Sequence, residues 1–401
     1  MLASRQAARR LVPPGRKPAV SLAPNDCGAP DGTLNRLAAS IGARQRAMAE
    51  HSLVAAPPDP PGQIPIGIQA RLRSRRGPDL GNVLARMARA HLRFTREDFP
   101  WASIEPRPGE YCWAHTDYWM FGAARAGVRV IAVPDASPSW AESTLATAPT
   151  DPAGLQAYTA FVREIVGRYG AYGSFWAHHP HLRPDPITYV DVWNEPYIKY
   201  FWHRDYPDPE GYANMFEAVV RTVRPIDPEA RFLLEADVTA QDGTPFLADV
   251  LQAQPLVARD AYAVSTHPYA SNGWGPGVCS ASETIAARQY QTCRILQLRR
   301  TLDDYGAANV RLFITELGWG ASGSSAPKLS PLTVARYVTQ TFDLLRTRWK
   351  RLVSGLIWYE YQASPGSIGP RGDFGLIQPN GLPSPGWYVL ATEAARGIPS
   401  P

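Results

Sequence analysis

Ile187-Thr188-Tyr189-Val190-Asp191-Val192-Trp193 is a short run rich in β-branched and aromatic residues, and Asn194-Glu195-Pro196 closes it. Such a run reads as a strand that stops before the proline, so it delivers Asn194 and Glu195 at its C-terminal end. The same plan recurs later in the chain. Val310 to Thr315 is apolar and β-branched, and Glu316-Leu317-Gly318-Trp319 follows it. Two strands that each lead into a glutamate decide how the rest of the chain is read.

Outward from these two runs, short apolar segments alternate with longer amphipathic ones from residue 64 onward. Ile64 to Ala70, His91 to Glu97 and Val128 to Val133 read as the first three strands. Leu80 to Ala90, Tyr118 to Ala126 and Leu155 to Tyr169 read as the helices after them. In the first helix Leu80, Val83, Leu84 and Met87 share one face, and in the third Leu155, Tyr158, Val162, Ile165 and Val166 do. Gly127 stops the second helix. Ile187 to Trp193 is the fourth strand, followed by a helix over Tyr212 to Val223. Arg231 to Glu235 and Ala261 to Thr266 are the fifth and sixth strands, with helices over Phe246 to Leu251 and Glu283 to Asp304. Val310 to Thr315 and Val353 to Tyr359 are the last strands, with helices over Leu332 to Trp349 and Trp387 to Arg396.

Strand–helix pairs in steady alternation predict an α/β chain whose parallel sheet closes into a (β/α)8 TIM barrel. A doubly wound open sheet is the alternative. It lacks support, because no Gly-x-Gly-x-x-Gly turn follows the first strand.

The chain has 401 residues, 45% apolar and 19% charged, with a formal net charge of +5. That length holds one barrel of about 250 residues plus long loops and a tail. Residues 1 to 60 are rich in Pro, Ala and Arg, have no sustained period, and read as a disordered basic tail that Pro57, Pro58, Pro60 and Pro61 close. Residues 61 to 401 read as the catalytic domain. The basic tail is a solvated leader on this reading, and no nucleic-acid partner is expected. No apolar run is long enough to span a membrane. The first residues lack the apolar core of a secretory signal, and export to the periplasm or the exterior stays open. Of the four cysteines, Cys279 and Cys293 could pair if the protein is exported. No Cys/His spacing suggests zinc, and His178, His179 and His181 are split by Pro180, so no metal and no other cofactor is expected.

In a barrel of this kind the active site lies at the C-terminal ends of the strands. Glu195 after the fourth strand and Glu316 after the seventh would then meet in one mouth. Two carboxyl groups flanking one bond are what glycoside hydrolysis requires. One gives a proton to the departing oxygen, while the other attacks the anomeric carbon or activates water.

These residues carry a resemblance. Asn194-Glu195-Pro196 and Thr315-Glu316-Leu317-Gly318-Trp319 resemble the motifs of glycoside hydrolase clan A. Arg96 to Pro106, then Gly109-Glu110-Tyr111, and Pro138-Ser139-Trp140-Ala141 are similar to family 39 and its neighbours, including exopolysaccharide hydrolases. The resemblance covers roughly residues 64 to 395. It implies retention through a covalent glycosyl-enzyme, with Glu195 as acid/base and Glu316 as nucleophile. Arg96 matches the arginine that supports the nucleophile, and Asn194 the asparagine that binds the sugar 2-hydroxyl. His267 or Tyr269, in Ser265-Thr266-His267-Pro268-Tyr269, would contact Glu316 or a sugar hydroxyl. Trp358 resembles the clan's platform tryptophan.

Other aromatic residues near strand ends could also hold the apolar faces of sugar rings: Trp101, Trp140, Trp193, Trp319, Tyr359 and Tyr361. Glu360 would bind a substrate hydroxyl or pair with a base. Asp135 has similar standing, and the chain lacks the histidine that some clan members carry near it. The expected function is therefore a retaining β-glycosidase acting on an oligo- or polysaccharide. A transglycosylase on the same site and a non-catalytic glycan-binding barrel are the alternatives.

Overall fold

The computed structural model describes residues 62–203, 205–269, 275–277, 294–320, 329–362 and 373–400. The expected tail, Cys279, Cys293 and the first part of the helix expected over Glu283 to Asp304 lie outside these residues. Eight parallel strands close into a barrel in sequence order, and the last pairs with the first. They are β1 (Ile66–Ile68), β2 (Phe94–Pro100), β3 (Arg129–Asp135), β4 (Tyr189–Val192), β5 (Arg231–Glu235), β6 (Ala261–Thr266), β7 (Arg311–Leu317) and β8 (Val353–Trp358). The helices that cover them are α1 (Gly77–Arg89), α2 (Ala114–Ala126), α3 (Pro152–Tyr169), α4 (Pro209–Val223), α5 (Phe246–Ala253), α6 (Arg294–Asp304), α7 (Pro331–Arg346) and α8 (Pro385–Arg396). The predicted fold class is the observed one. Among the described residues no helix is long and apolar enough to cross a membrane.

Several helices start before their apolar period does. Helix α3 begins at Pro152, and the Asp151 side chain accepts from the N–H groups of Ala153 and Gly154. Helix α4 begins at Pro209 under an Asp208 cap, and α7 at Pro331 under a Ser330 cap. Proline is favoured in that first turn because its missing N–H would have had no partner there. The first turn carries capping chemistry rather than core contacts, so periodicity alone misses it.

Strand alternation sorts the barrel into layers. Phe94, Ile131, Tyr189, Leu233, Ala263, Phe313 and Ile357 form an apolar cluster inside the barrel. Their strand neighbours Val190, Val192, Phe232, Leu234, Leu312, Ile314, Leu356 and Trp358 join the larger core that packs the helices on the sheet. Two residues above the inner cluster, the inward positions become polar: Arg96 on β2, Asp191 on β4, Glu235 on β5 and Ser265 on β6. The period of two therefore carries the chain from an apolar floor to a charged layer directly beneath the mouth.

Strand β7 breaks its own alternation where the site needs it to. Ile314 pairs with Leu356 and Leu317 with Trp358, so three steps on β7 oppose two on β8. This is a bulge, and it shifts the phase of everything beyond it. Without the shift Glu316, three residues above inward Phe313, would face the helices. With it, Leu317 takes the outward place and Glu316 turns to the mouth. Gly318 lets the ends of β7 and β8 approach, since a Cβ there would overlap the Tyr359 carbonyl oxygen.

Candidate active site

Glu195 and Glu316 meet as the sequence predicts. Glu195, His267 and Glu316 each offer one polar atom, and these atoms lie within 4.8 Å of one another. Their carboxyls are the accessible part of the cluster, with side-chain exposures of 18% for Glu195 and 13% for Glu316. The turn after β4 places Glu195. Trp193 and Glu195 both have positive φ, 65° and 44°, a region that costs a non-glycine residue about 1–3 kcal/mol. Trp193 is held there by its indole N–H on the Phe201 carbonyl, at 2.8 Å, and by its edge contact with Tyr158. It belongs to the barrel wall and offers no face to a ligand.

Arg96 is the hub beneath the pair. It lies within β2 rather than at its end, and it is fully buried. Its guanidinium donates to Asp191 at 2.7 Å, Glu235 at 2.7 Å, Glu316 at 3.1 Å and the Asn194 side-chain oxygen at 3.1 Å. It thus supports Glu316 as expected and also carries two acids that the sequence reading did not single out. Asp191 is further held by the Ser265 hydroxyl at 2.5 Å. Asn194 is oriented through its oxygen, so its amide N–H groups are the part left to address a ligand.

Two residues just past β6, His267 and Tyr269, divide the work that the sequence left open between them. The Tyr269 hydroxyl donates to Glu316 at 2.7 Å. His267 Nδ1 lies 3.0 Å from Glu195 and 3.7 Å from Glu316. Burial opposes a charge on His267, but the charges of Glu235 and Glu316 and the hydrogen bond with Glu195 outweigh it and raise its pKa to about 9. Burial also pushes Glu235 up, against the charges of His267 and Arg96. Both Glu235 oxygens nevertheless accept from N–H donors, from Arg96 and from the Glu195 backbone at 2.8 Å. Two N–H donors, one of them the Arg96 guanidinium, favour the carboxylate over the neutral acid, so we read the pair as an imidazolium and a carboxylate. Distance alone would allow Glu195, His267 and Glu316 to hold a divalent ion. Each already has a hydrogen-bond partner in the site, and the Arg96 guanidinium supplies a positive charge beside Glu316.

Glu235 is the main residue the sequence reading missed. The signal was available, because it is an acid at the end of an apolar strand, as are the other two glutamates. Arg71 was missed as well. It follows β1 with φ 53°, and its guanidinium meets Glu360 at 2.5 Å and the Tyr359 hydroxyl at 2.6 Å. Glu360 is therefore buried in an ion pair, the second of its two expected roles.

The aromatic expectations need correction. Trp358 is fully buried and packs on Trp319, which in turn meets Tyr337 of α7. Both tryptophans lie on the helix side of β8, one alternation step out of phase with the mouth. Tyr359, the next residue, is the one at the site: its ring meets Tyr269 and Phe374. Trp101 is also fully buried, stacked on Phe161 with its indole N–H on Glu105. Trp140 is half-buried, edge-on to Trp101, and donates to the Glu105 carbonyl. None of these three fully packed rings, Trp101, Trp319 and Trp358, offers a free face to a sugar.

Replacing the hub has a calculable cost. Arg96→Leu leaves Asp191, Glu235 and Glu316 without their shared cation, and breaking a buried ion pair from one side costs roughly 3–5 kcal/mol. The pH dependence follows from Glu235. Its folded pKa is raised, so ionising it in the folded protein carries a penalty. That penalty is absent at acid pH, where the carboxyl is protonated folded and unfolded alike, and grows as pH rises through the ordinary carboxylate range toward the folded value. Arg96→Leu enlarges it. Urea unfolding should show a larger deficit at pH 8 than at pH 5, and a deficit independent of pH would contradict this picture.

No family model matches the sequence, and no curated protein matches it. Solved structures do. A family 39 glycoside hydrolase from the gut symbiont Bacteroides cellulosilyticus WH2 superposes with a TM-score of 0.61 at 18% identity, over 82% of this chain and 63% of that one. A monomeric beta-xylosidase from Caulobacter crescentus CB15 gives 0.59 at 18% identity, over 84% and 69%. A GH5_18 structure from Bifidobacterium longum subsp. infantis gives 0.61 at 13% identity, over 84% and 79%. The chain thus spans less than two thirds of the first of these proteins. At such identities the likeness is one of fold, and it falls on the same families that the motifs resemble.

Proposed function

We propose that this chain is a retaining glycoside hydrolase of clan A type, cleaving β-glycosidic bonds of an oligo- or polysaccharide. One observation carries the reading: two strand-end carboxyls in the barrel mouth, with one oxygen of each within 4.8 Å of the other, too close to admit a water between them in the inverting manner. Retaining enzymes hold their carboxyls about 5–5.5 Å apart, and inverting ones about 6.5–9.5 Å to admit a water. The fold shared with glycoside hydrolases supports the same class.

The two environments suit two roles. Glu316 accepts from Arg96 and Tyr269, which hold a carboxylate oriented toward an anomeric carbon. In the first step Glu316 forms a bond to that carbon, the glycosidic C–O bond breaks, and Glu195 gives its proton to the departing oxygen. In the second, water gives a proton to Glu195 and its hydroxyl displaces Glu316. Asn194, oriented by Arg96, addresses the neighbouring sugar hydroxyl. Cys112 is disulfide-bonded, which supports action in an oxidising compartment such as the periplasm or the exterior.

The test is a panel of aryl β-glycosides followed by proton NMR of the first-formed anomer. The β-anomer should appear first and mutarotate later. Release of the α-anomer would exclude a retaining mechanism, and transfer to added sugar acceptors in place of hydrolysis would favour the transglycosylase.

A further inference from the structure

We propose that Glu235 is a positioning residue that keeps His267 cationic beside Glu195, preparing the acid/base for the negative charge it acquires on giving up its proton. The inference rests on the glycosidase reading for its kinetic half only.

The geometry around His267 is closed on every side. Its side chain is buried at the top of β6. From β2 it faces Arg96, from the turn after β4 Glu195, from β5 and the residues just past it Glu235 and Asp237, and from β7 Glu316; Tyr269 follows it beyond β6, Asp191 lies behind Arg96 and Glu235, and Tyr197 and Tyr212 back the acids. Most of these charges are already engaged. Asp191 is held by Arg96 and Ser265, and Asp237 by Arg294 at 2.6 Å. Glu235 and Glu316 are the acids whose charges act most strongly on the ring.

Of these two, Glu235 is the fixed one. It is fully buried, its backbone N–H donates to the Tyr212 hydroxyl at 2.7 Å, and its carboxylate bridges Arg96 and the Glu195 backbone. Its Oε1 lies 3.4 Å from His267 Nε2. That contact is one of charge rather than an aligned hydrogen bond, since Nε2 has no hydrogen-bond partner. Glu316, by contrast, loses its charge when it bonds to the sugar. During the first step Glu235 is then the remaining buried anion that holds the imidazolium, while Nδ1–H points at the carboxylate forming on Glu195, 3.0 Å away. His267 keeps its proton throughout; the proton that moves is that of Glu195, first to the leaving oxygen and later back from water.

The experiment uses the full chain. NMR of 15N-histidine-labelled protein, with the His267 signal assigned from His267→Asn, should show an imidazolium at pH 7.5 in the wild type. In Glu235→Gln the His267 midpoint should fall by about one unit or more, a shift that follows from losing an adjacent charge. With aryl glycosides, Glu235→Gln should lose about 10- to 100-fold in kcat/KM for a phenol leaving group, a part of the roughly 10²- to 10⁴-fold that a positioned acid contributes, and under about fivefold for a dinitrophenol. Glu235→Asp, which keeps the charge, should restore most of both properties. A neutral His267 in the wild type, an unmoved midpoint in Glu235→Gln, or equal losses for both leaving groups would each overturn the proposal. Should Glu235→Gln not fold, the wild-type titration and Glu235→Asp still decide it. A wild type that cleaves no glycoside would sink the glycosidase reading and the kinetic half with it, while the titration still tests the role of Glu235.

Discussion

Glu316→Ala should lower kcat on activated aryl glycosides by roughly 10⁴- to 10⁶-fold, the scale seen when a covalent nucleophile is removed. The size of the loss follows from where Glu316 sits. The bulge in β7 turns this one carboxylate to the mouth, and Arg96 and Tyr269 fix its two oxygens. Among the described residues, Glu360 is held by Arg71 and Glu235 is buried beneath Arg96, so neither can take its place. The fold should survive. Alanine removes one of several acids crowded around a single guanidinium, so the melting temperature should stay level or rise. Stopped-flow product release should lose its burst, and a slow-reacting fluorinated glycoside should label the wild type at Glu316 and leave the variant unlabelled. Residual activity above a few per cent of wild type, in a folded variant, would remove Glu316 from the nucleophile's role.

Glu195→Ala should separate the two chemical steps. With a phenol leaving group, loss of the proton donor should reduce kcat/KM by about 10²- to 10⁴-fold, the usual worth of a positioned general acid. With a dinitrophenol, which departs without protonation, the first step should be nearly spared. The second step still needs a base, so the glycosyl-enzyme should accumulate and be visible by mass spectrometry. Azide fits the space left by the side chain and needs no deprotonation, so it should restore turnover and yield a glycosyl azide of retained configuration. Equal loss on both substrates with no intermediate would mean that Glu195 is not the acid/base. His267 loses its Nδ1 partner in this variant, and its titration would report whether Glu235 and Glu316 alone sustain the imidazolium.

Much of this was legible along the chain. The apolar period separated strands from helices because burial on one face of an element is a local, repeated demand. It found each strand within a few residues and delivered both glutamates. It failed where a side chain's direction depends on more than its own strand. Trp358 carries the right chemistry for a platform, but the alternation of β8 sends it to the helix side and leaves Tyr359 at the mouth. Trp101 follows β2 directly, yet its ring fills the space between Trp140, Tyr158 and Phe161. Arg71 and Asp191 were unremarkable as sequence because their importance lies in partners far along the chain: 289 residues for Arg71 and Glu360, and 95 for Arg96 and Asp191.

The sequence by itself determined the order of strands and helices, the closure they imply, and the two glutamates that end or follow apolar strands. These follow from periodicity, turn residues and the parallel barrel rule, all of which act over a few residues or on the whole architecture. Only the tertiary structure decided the phase of Glu316, the positive φ that aims Glu195, the division of labour between His267 and Tyr269, and the buried charge set around Arg96. The physical reason is common to all four. A bulge, a strained turn or a buried charge is held by packing and hydrogen bonds between strands distant in sequence, and no local pattern records it.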